Sequence, residues 1–301
     1  MALMLAFCVL APLLDTCAKL ATATIPVGQI TTARFVVQTA IMIPIALWLR
    51  LDWRLPMRML GLLTVRAVLL ITSTFCFVAA TAVMPIADAL AIVFIEPFIL
   101  LLLGHMIFGN PVGPRRIAAS VVGFMGALLV IQPSIANYGF VALLPLATAL
   151  LFALYMLITQ AIAATVHPVT QQLHTSMIAA VLCLPLLLLA DGSGWHMMDP
   201  VLPQGVAWIW LFGVGFWAAA SHMCMTVALR YAPASTLAPL HYLEIVSAVL
   251  LGYVVFGDFP NALTWAGIAV IVASGLYVIH RERITACQAL PTRPSGMPAA
   301  E

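Results

Sequence analysis

Charge is what this chain has least of. Asp, Glu, Lys and Arg make up 7% of its 301 residues, where a soluble domain carries about a quarter. So few charges cannot cover a water-facing surface, and no polar stretch before residue 284 is long enough to form an inserted soluble domain. The apolar–polar alternation of an outer-membrane barrel is missing too. Six cysteines (Cys8, Cys17, Cys76, Cys183, Cys224 and Cys287) are scattered, with neither metal-ligand spacing nor a disulfide framework, and read as small packing residues. A GK[ST] phosphate loop is absent, so the chain does not hydrolyse ATP itself, and its histidines form no HExxH motif. No catalytic constellation, cofactor motif or metal site is expected. The net charge of +2 points to no particular partner, and nucleic acid is not expected as one.

What fills the chain is apolar. Hydrophobic residues make up 64% of it, in runs long enough to cross about 30 Å of hydrocarbon, where only a helix satisfies its own backbone. The expected class is all-α integral membrane protein, with spans near 3–21, 30–49, 59–82, 86–107, 115–132, 139–161, 172–190, 204–228, 235–256 and 262–280. The first twenty residues lack a basic leader, and Asp15 and Lys19 interrupt their apolar core. They read as the first helix and not as a signal peptide. Residues 284–301, polar with three prolines, read as a disordered cytoplasmic tail. Arg50, Arg54, Arg58, Arg115, Arg116, Arg230, Arg281, Arg283 and Arg293 all follow even-numbered spans. That bias predicts both termini in the cytoplasm.

An internal repeat organises the spans. Shifting the chain by 148 residues aligns 80–131 with 228–279 without a gap, superposing Pro85 on Pro233, Glu96 on Glu244, Gly104 on Gly252 and Phe108-Gly109 on Phe256-Gly257. Of the 52 aligned positions 13 are identical, where chance gives roughly 5 in so apolar a chain. A weaker echo relates Pro26-Val27-x-Gln29 to Pro168-Val169-x-Gln171. Two halves of five helices, 1–137 and 138–283, follow. Five is odd, so the halves enter the membrane from opposite sides, the inverted arrangement of alternating-access transporters with a site near the midplane.

Ionisable residues inside spans cost at least about 2.5–3.5 kcal/mol each and need a reason. Glu96 and Glu244 are symmetry mates, each roughly 15 Å deep. They are candidates to bind a substrate ammonium group or to titrate in coupling, or else neutral groups holding helices together. Pro97 and Pro239 free the carbonyls of Val93 and Ser235 beside them, either as cavity-lining breaks or as ordinary kinks. His241 and Tyr242 lie a turn from Glu244; His241 reads equally as a proton shuttle or a packing histidine. Asp15 is expected to face a cavity or pair with Arg34, Lys19 to reach the outer interface, and Arg34 to bind a carboxylate. Arg66, deep in the third span, should have an acidic partner, and Asp88 should cap the fourth. Ser73/Ser221 and Thr74/His222 form a symmetric polar set, with Trp217 a deeper aromatic candidate. Gly123-x-x-Gly126 argues for close packing of the fifth and tenth helices.

These features resemble the EamA-type branch of the drug/metabolite transporter superfamily across residues 1–283. The likeness is carried by Glu96-Pro97, Phe108-Gly109-Asn110-Pro111-Val112-Gly113-Pro114-Arg115-Arg116, Gly123-Phe124-Met125-Gly126 and Gln132-Pro133 in the first half. In the second it is carried by Tyr231-Ala232-Pro233-Ala234-Ser235, Phe256-Gly257-Asp258 and Ser274-Gly275-Leu276-Tyr277, with Lys19 and Arg34 at matching positions. Asn110 and Asp258 depart from a glutamate usual in the family. The resemblance implies ten helices in a 5+5 inverted repeat, and a cavity lined mainly by helices 1–4 and 6–9. It also implies a bacterial inner-membrane location and export of small metabolites. The expectation is a secondary exporter of amino acids or similar zwitterions, working within the lipid bilayer and monomeric. The alternatives are a carrier for a nucleoside, vitamin or cationic drug, and a membrane partner subunit without flux.

Overall fold

The computed structural model describes residues 1–84, 86–109, 114–131, 139–257 and 262–288. Asn110, Asp258 and the tail from residue 289 lie outside the described residues, as do the side chains of Asp88, Arg115, Arg116, Arg281 and Arg283.

Among the described residues all regular structure is helical. Three long helices open the chain: α1 (Ala2–Thr22), α2 (Val27–Trp48) and α3 (Met57–Val83). The next hydrophobic run is broken in two, α4 (Ile86–Val93) and α5 (Glu96–Phe108), and α6 (Pro114–Ile131) follows. A single 3₁₀ turn (Gly139–Ala142) then leads into α7 (Leu143–Ile162), α8 (Pro168–Leu189) and α9 (Ala207–Tyr231). Another broken run comes next: one turn of α10 (Ala234–Leu237), a 3₁₀ stretch (Ala238–Leu243) and α11 (Glu244–Phe256). The last helix, α12, covers Ala262–Gln288, so the first five residues expected in the tail are helical.

Seven of the described helical stretches are long and apolar enough to cross a membrane, and Glu96–Phe108, Ile117–Gly126 and Trp265–Ser274 are shorter apolar ones. The surface agrees. Leu186, Leu188, Leu189, Ile209, Phe212 and Val254 are exposed, while Gln38, Arg66, Ser73, Gln171, Gln172 and Thr226 are buried. An apolar exterior around a polar interior belongs to a protein whose surrounding solvent is lipid. This is a multi-pass membrane protein.

The two breaks are built alike. Each begins a 13-residue helix at a glutamate and ends it on a glycine in the left-handed region, Gly109 at φ 63° and Gly257 at φ 76°. Pro97 withholds the N–H that would bond Val93, and Pro239 that which would bond Ser235, so a regular helix cannot pass through either point. Helix pairing follows the same exchange: α1 packs on α9 as α7 packs on α3, and α2 on α9 as α8 on α3. α2 also packs on α8, and α6 on α12.

Close approach of small residues holds the helices together. A Cβ added at Gly215 on α9 would lie 2.4 Å from Val37 Cβ and 3.0 Å from the Arg34 carbonyl oxygen on α2. Gly215→Ala is therefore expected to push α9 off α2 and lower stability by about 1–3 kcal/mol, the usual penalty of overpacking. A melting curve of the solubilised protein with no shift would contradict this. Gly123 is close-packed as expected, but its neighbour is the Tyr242 ring of the second broken run.

Candidate functional site

Both breaks open onto one internal cavity, lined from the first half by Phe7, Asp15, Arg34, Ser73, Thr74, Phe77, Phe94 and Glu96. The second half contributes Thr148, Phe152, Val214, His222, His241 and Glu244. Its volume is about 90 Å³.

Side chains that the sequence singled out meet here from distant parts of the chain. Glu96, at the first turn of α5, receives His241 of the 3₁₀ stretch, with Nδ1 3.0 Å from Oε2 and both side chains buried. Among the described residues Glu96 Oε1 and His241 Nε2 have no hydrogen-bond partner. Arg34 donates to the Thr74 hydroxyl, and its other terminal nitrogen lies 2.7 Å from His222 Nε2. Ser73 and Thr148 bond each other reciprocally, hydroxyl to carbonyl, across α3 and α7, at 3.4 and 3.2 Å. Asp15 and Glu244 line the same cavity without an ion pair among the described residues. The Asp15–Arg34 pairing is thus a shared cavity and not a contact, as the alternative reading of Asp15 had it. The cavity therefore presents a guanidinium, two imidazoles and three carboxyl groups.

Aromatic rings form much of its wall. Phe7 lies 5.5 Å from the His241 ring and edge-on to His222 at 6.2 Å. Phe152 stacks on Tyr155 at 5.4 Å and meets His222 edge-on. Phe7 and Phe152 were not singled out in the sequence, where a phenylalanine in an apolar span carries no mark of the face it occupies.

Other expected residues are placed elsewhere. Ser221 is buried and donates to Trp217 O on its own helix, and Trp217 packs against an apolar cluster of α1, α2, α3 and α9 residues and against Phe216. Tyr242 is buried against Phe94, its hydroxyl without a partner among the described residues. Lys19 lies near the end of α1, 3.4 Å from the Met84 carbonyl and over the Phe256 ring. None of these four lines the cavity.

Arg66 corrects the expectation of an acidic partner. Among the described residues no carboxylate lies within ion-pair distance, and its five N–H donors instead go to five neutral acceptors. These are Thr159 Oγ1 at 2.8 Å, Gln171 O at 3.2 Å, the Thr175 hydroxyl, Tyr155 OH at 2.8 Å and Thr226 Oγ1 at 3.4 Å. Its guanidinium also lies 4.5 Å from the Tyr155 ring centre. The physical reason is that neutral dipoles on three helices supply the solvation water would give, so the buried charge needs no counterion. A chain of hydrogen bonds joins this knot to the cavity: Tyr155 OH reaches His222 Nδ1 at 3.1 Å, and Gln172 bonds Thr226 at 2.6 Å and the His222 carbonyl at 2.8 Å.

Along α3, α7 and α9 the knot follows one order. Arg66 lies between the cavity residues and the α3 terminus that carries Arg54 and Arg58; Thr159 and Thr226 lie between the cavity and the α7 and α9 ends. The knot lies between the cavity and these helix ends.

A bundle of apolar-surfaced helices around a buried polar cavity, with two helices broken at that cavity, is the architecture of a membrane transporter. The chain belongs to the EamA-like transporter family, which it matches over residues 1–132 and 139–280. It is 31% identical over 217 residues to a riboflavin transporter of Rhizobium johnstonii, covering 72% of this chain and 69% of that protein. It is 26% identical over 259 residues to a pseudopaline exporter of Pseudomonas aeruginosa, covering 85% of this chain and 87% of that one. A crystal structure with 18% sequence identity shares the fold at a TM-score of 0.77, covering 94% of this chain and 97% of the other. The chain is a small-metabolite transporter and not an enzyme.

Proposed function

We propose that the chain is a secondary transporter of the bacterial inner membrane whose substrate carries a planar, nitrogen-rich ring, as a flavin does. The observation that carries this reading is the aromatic wall of the cavity: Phe7, Phe77, Phe94 and Phe152 around a few polar groups. Flat π-faces stack on such rings. Arg34 suits ring carbonyls, a carboxylate suits an imide N–H, and the hydroxyls of Ser73, Thr74 and Thr148 suit a polyol chain. The similarity to a riboflavin transporter supports the same substrate class.

Ten spans arranged as inverted halves, 1–137 and 138–283, supply the mechanism. The equivalent breaks at Glu96 and Glu244 and the exchange-symmetric packing support that arrangement. Rocking of the halves exposes the cavity alternately to each side, with both termini in the cytoplasm. At about 90 Å³ the cavity is smaller than the roughly 300–1,000 Å³ of sites for drug-sized ligands, so a flavin enters only after the helices separate. That small volume favours a second reading, export of an amino acid, whose zwitterion matches Arg34 on one side and Asp15 or Glu244 on the other.

Counterflow into proteoliposomes separates the two. Vesicles preloaded with unlabelled riboflavin are expected to take up labelled riboflavin faster than protein-free vesicles, and those preloaded with each of the twenty amino acids are not. Exchange of an amino acid with none for riboflavin would establish the second reading, and exchange of neither would sink both.

A further inference from the structure

The Glu96–His241 contact is built unlike the rest of the cavity. It joins the two halves at their broken helices, since Glu96 opens α5 and His241 lies in the 3₁₀ stretch before α11. Each side chain keeps one polar atom, Glu96 Oε1 and His241 Nε2, without a partner among the described residues. The repeat places Val93 where the second half has His241, so Glu244 has no equivalent imidazole and the contact occurs once. We propose that this pair, resting on the transport function proposed above, is the binding site of a coupling proton, one per transport cycle.

The chemistry follows from the atoms. With Nδ1–H donated to Glu96 Oε2, the imidazole lone pair at Nε2 is left to accept a proton. The pair then passes from a carboxylate beside a neutral ring, with one negative charge, to a neutral imidazolium–carboxylate pair. An N–H bond forms as an O–H bond of a hydronium ion breaks, and release of the proton to water reverses both. The rings of Phe7 and Phe152 flank His241, and an uncompensated charge is costly on side chains so deeply buried. The protonated pair therefore holds the halves together around the cavity, and its deprotonation goes with their separation and the entry of water.

The other charged or titratable groups around the pair are Cys8 and Asp15 on α1, Arg34 on α2, His222 on α9, Glu244 on α11 and the neighbouring Tyr242. Among the described side chains, α6 and α12, which also pack against the 3₁₀ stretch, bring no carboxylate or guanidinium to it. Arg34, Asp15 and Glu244 line the same cavity, but Glu96 and His241 are the two titratable side chains there that meet across the two breaks.

The test is the steady-state accumulation of riboflavin in proteoliposomes under a pH gradient, with the membrane potential held at zero by potassium and valinomycin. One coupled proton gives about tenfold concentration across each pH unit, and Glu96→Gln and His241→Gln are each expected to bring that ratio to one. The ratio is thermodynamic, so a slow variant still reports it. A wild-type ratio of one, a ratio that follows a sodium gradient instead, or variants that still concentrate riboflavin would each overturn the proposal.

A second measurement needs no substrate, so it distinguishes this failure from a wrong choice of flavin. The side-chain nitrogen resonances of His241, assigned by their loss in His241→Gln, are expected to change with pH and to follow a different titration curve in Glu96→Gln. Resonances indifferent to pH, or identical curves in the two proteins, would equally overturn it.

Discussion

Arg66→Ala is expected to abolish transport and to lower the stability of the solubilised protein by about 3 kcal/mol, taking ~0.6 kcal/mol for each of five polar interactions within a membrane bundle. The hydrogen bonds that alanine cannot make run from α3 of the first half to α7, α8 and α9 of the second. The rocking of two halves proposed above must break and remake these bonds. Arg66→Lys sharpens the test. Lysine keeps the charge but offers three donors on a point-like head, where arginine offers five in a planar fork. If the knot acts through its geometry, the lysine protein recovers a small part of the stability and little of the transport. If charge alone matters, it recovers both. Thermal melting and counterflow, read on the same preparations, decide between these outcomes; an alanine variant as stable and active as the parent would remove the knot from the mechanism.

The residues around Arg66 show why part of the interior was legible in the sequence and part was not. Glu96 and Glu244 stand out because a carboxylate in an apolar run is costly, and the repeat made each evidence for the other. The prolines beside them marked the breaks for a local reason, the missing N–H, which the sequence states directly. Arg66 was equally visible as a buried charge, but its partners were not. Hydroxyl side chains in helices bond their own backbone by default, as Thr16 bonds Pro12 O and Thr31 bonds Val27 O. Nothing in the sequence distinguishes these from Thr175 and Thr226, which turn toward Arg66 across 109 and 160 residues of sequence. The aromatic wall was hidden for a related reason. Phe7 and Phe152 sit among apolar residues whose lipid-facing and cavity-facing members have the same chemistry. Trp217 read more readily as a lipid or packing residue than as a cavity one, and it is partly buried against an apolar cluster.

Replacing Arg34 by glutamine is expected to reduce transport at least a hundredfold, and the cause is the balance of charge in the cavity as much as the missing hydrogen bonds. Arg34 is buried, 4% exposed, and holds the Thr74 hydroxyl and the His222 ring on two neighbouring helices. Glutamine can replace one of these bonds. It cannot replace the positive charge that shares the cavity with Asp15 and Glu244, and a carboxylate left in a buried cavity without that cation is costly. Asp15→Asn in the same protein removes one of the charges left behind. If charge balance is the main term, the double variant is more stable than Arg34→Gln alone, although each single change is destabilising, a sign of direct coupling in a double-mutant cycle. If the bonds to Thr74 and His222 are the main term, the two effects simply add. Transport reads the substrate separately. A ring substrate that accepts from the guanidinium loses affinity in both proteins, so the apparent KM for riboflavin stays raised in the double variant even where stability returns. Recovery of the original KM along with stability would mean that Arg34 only holds the cavity in shape and does not touch what passes through it.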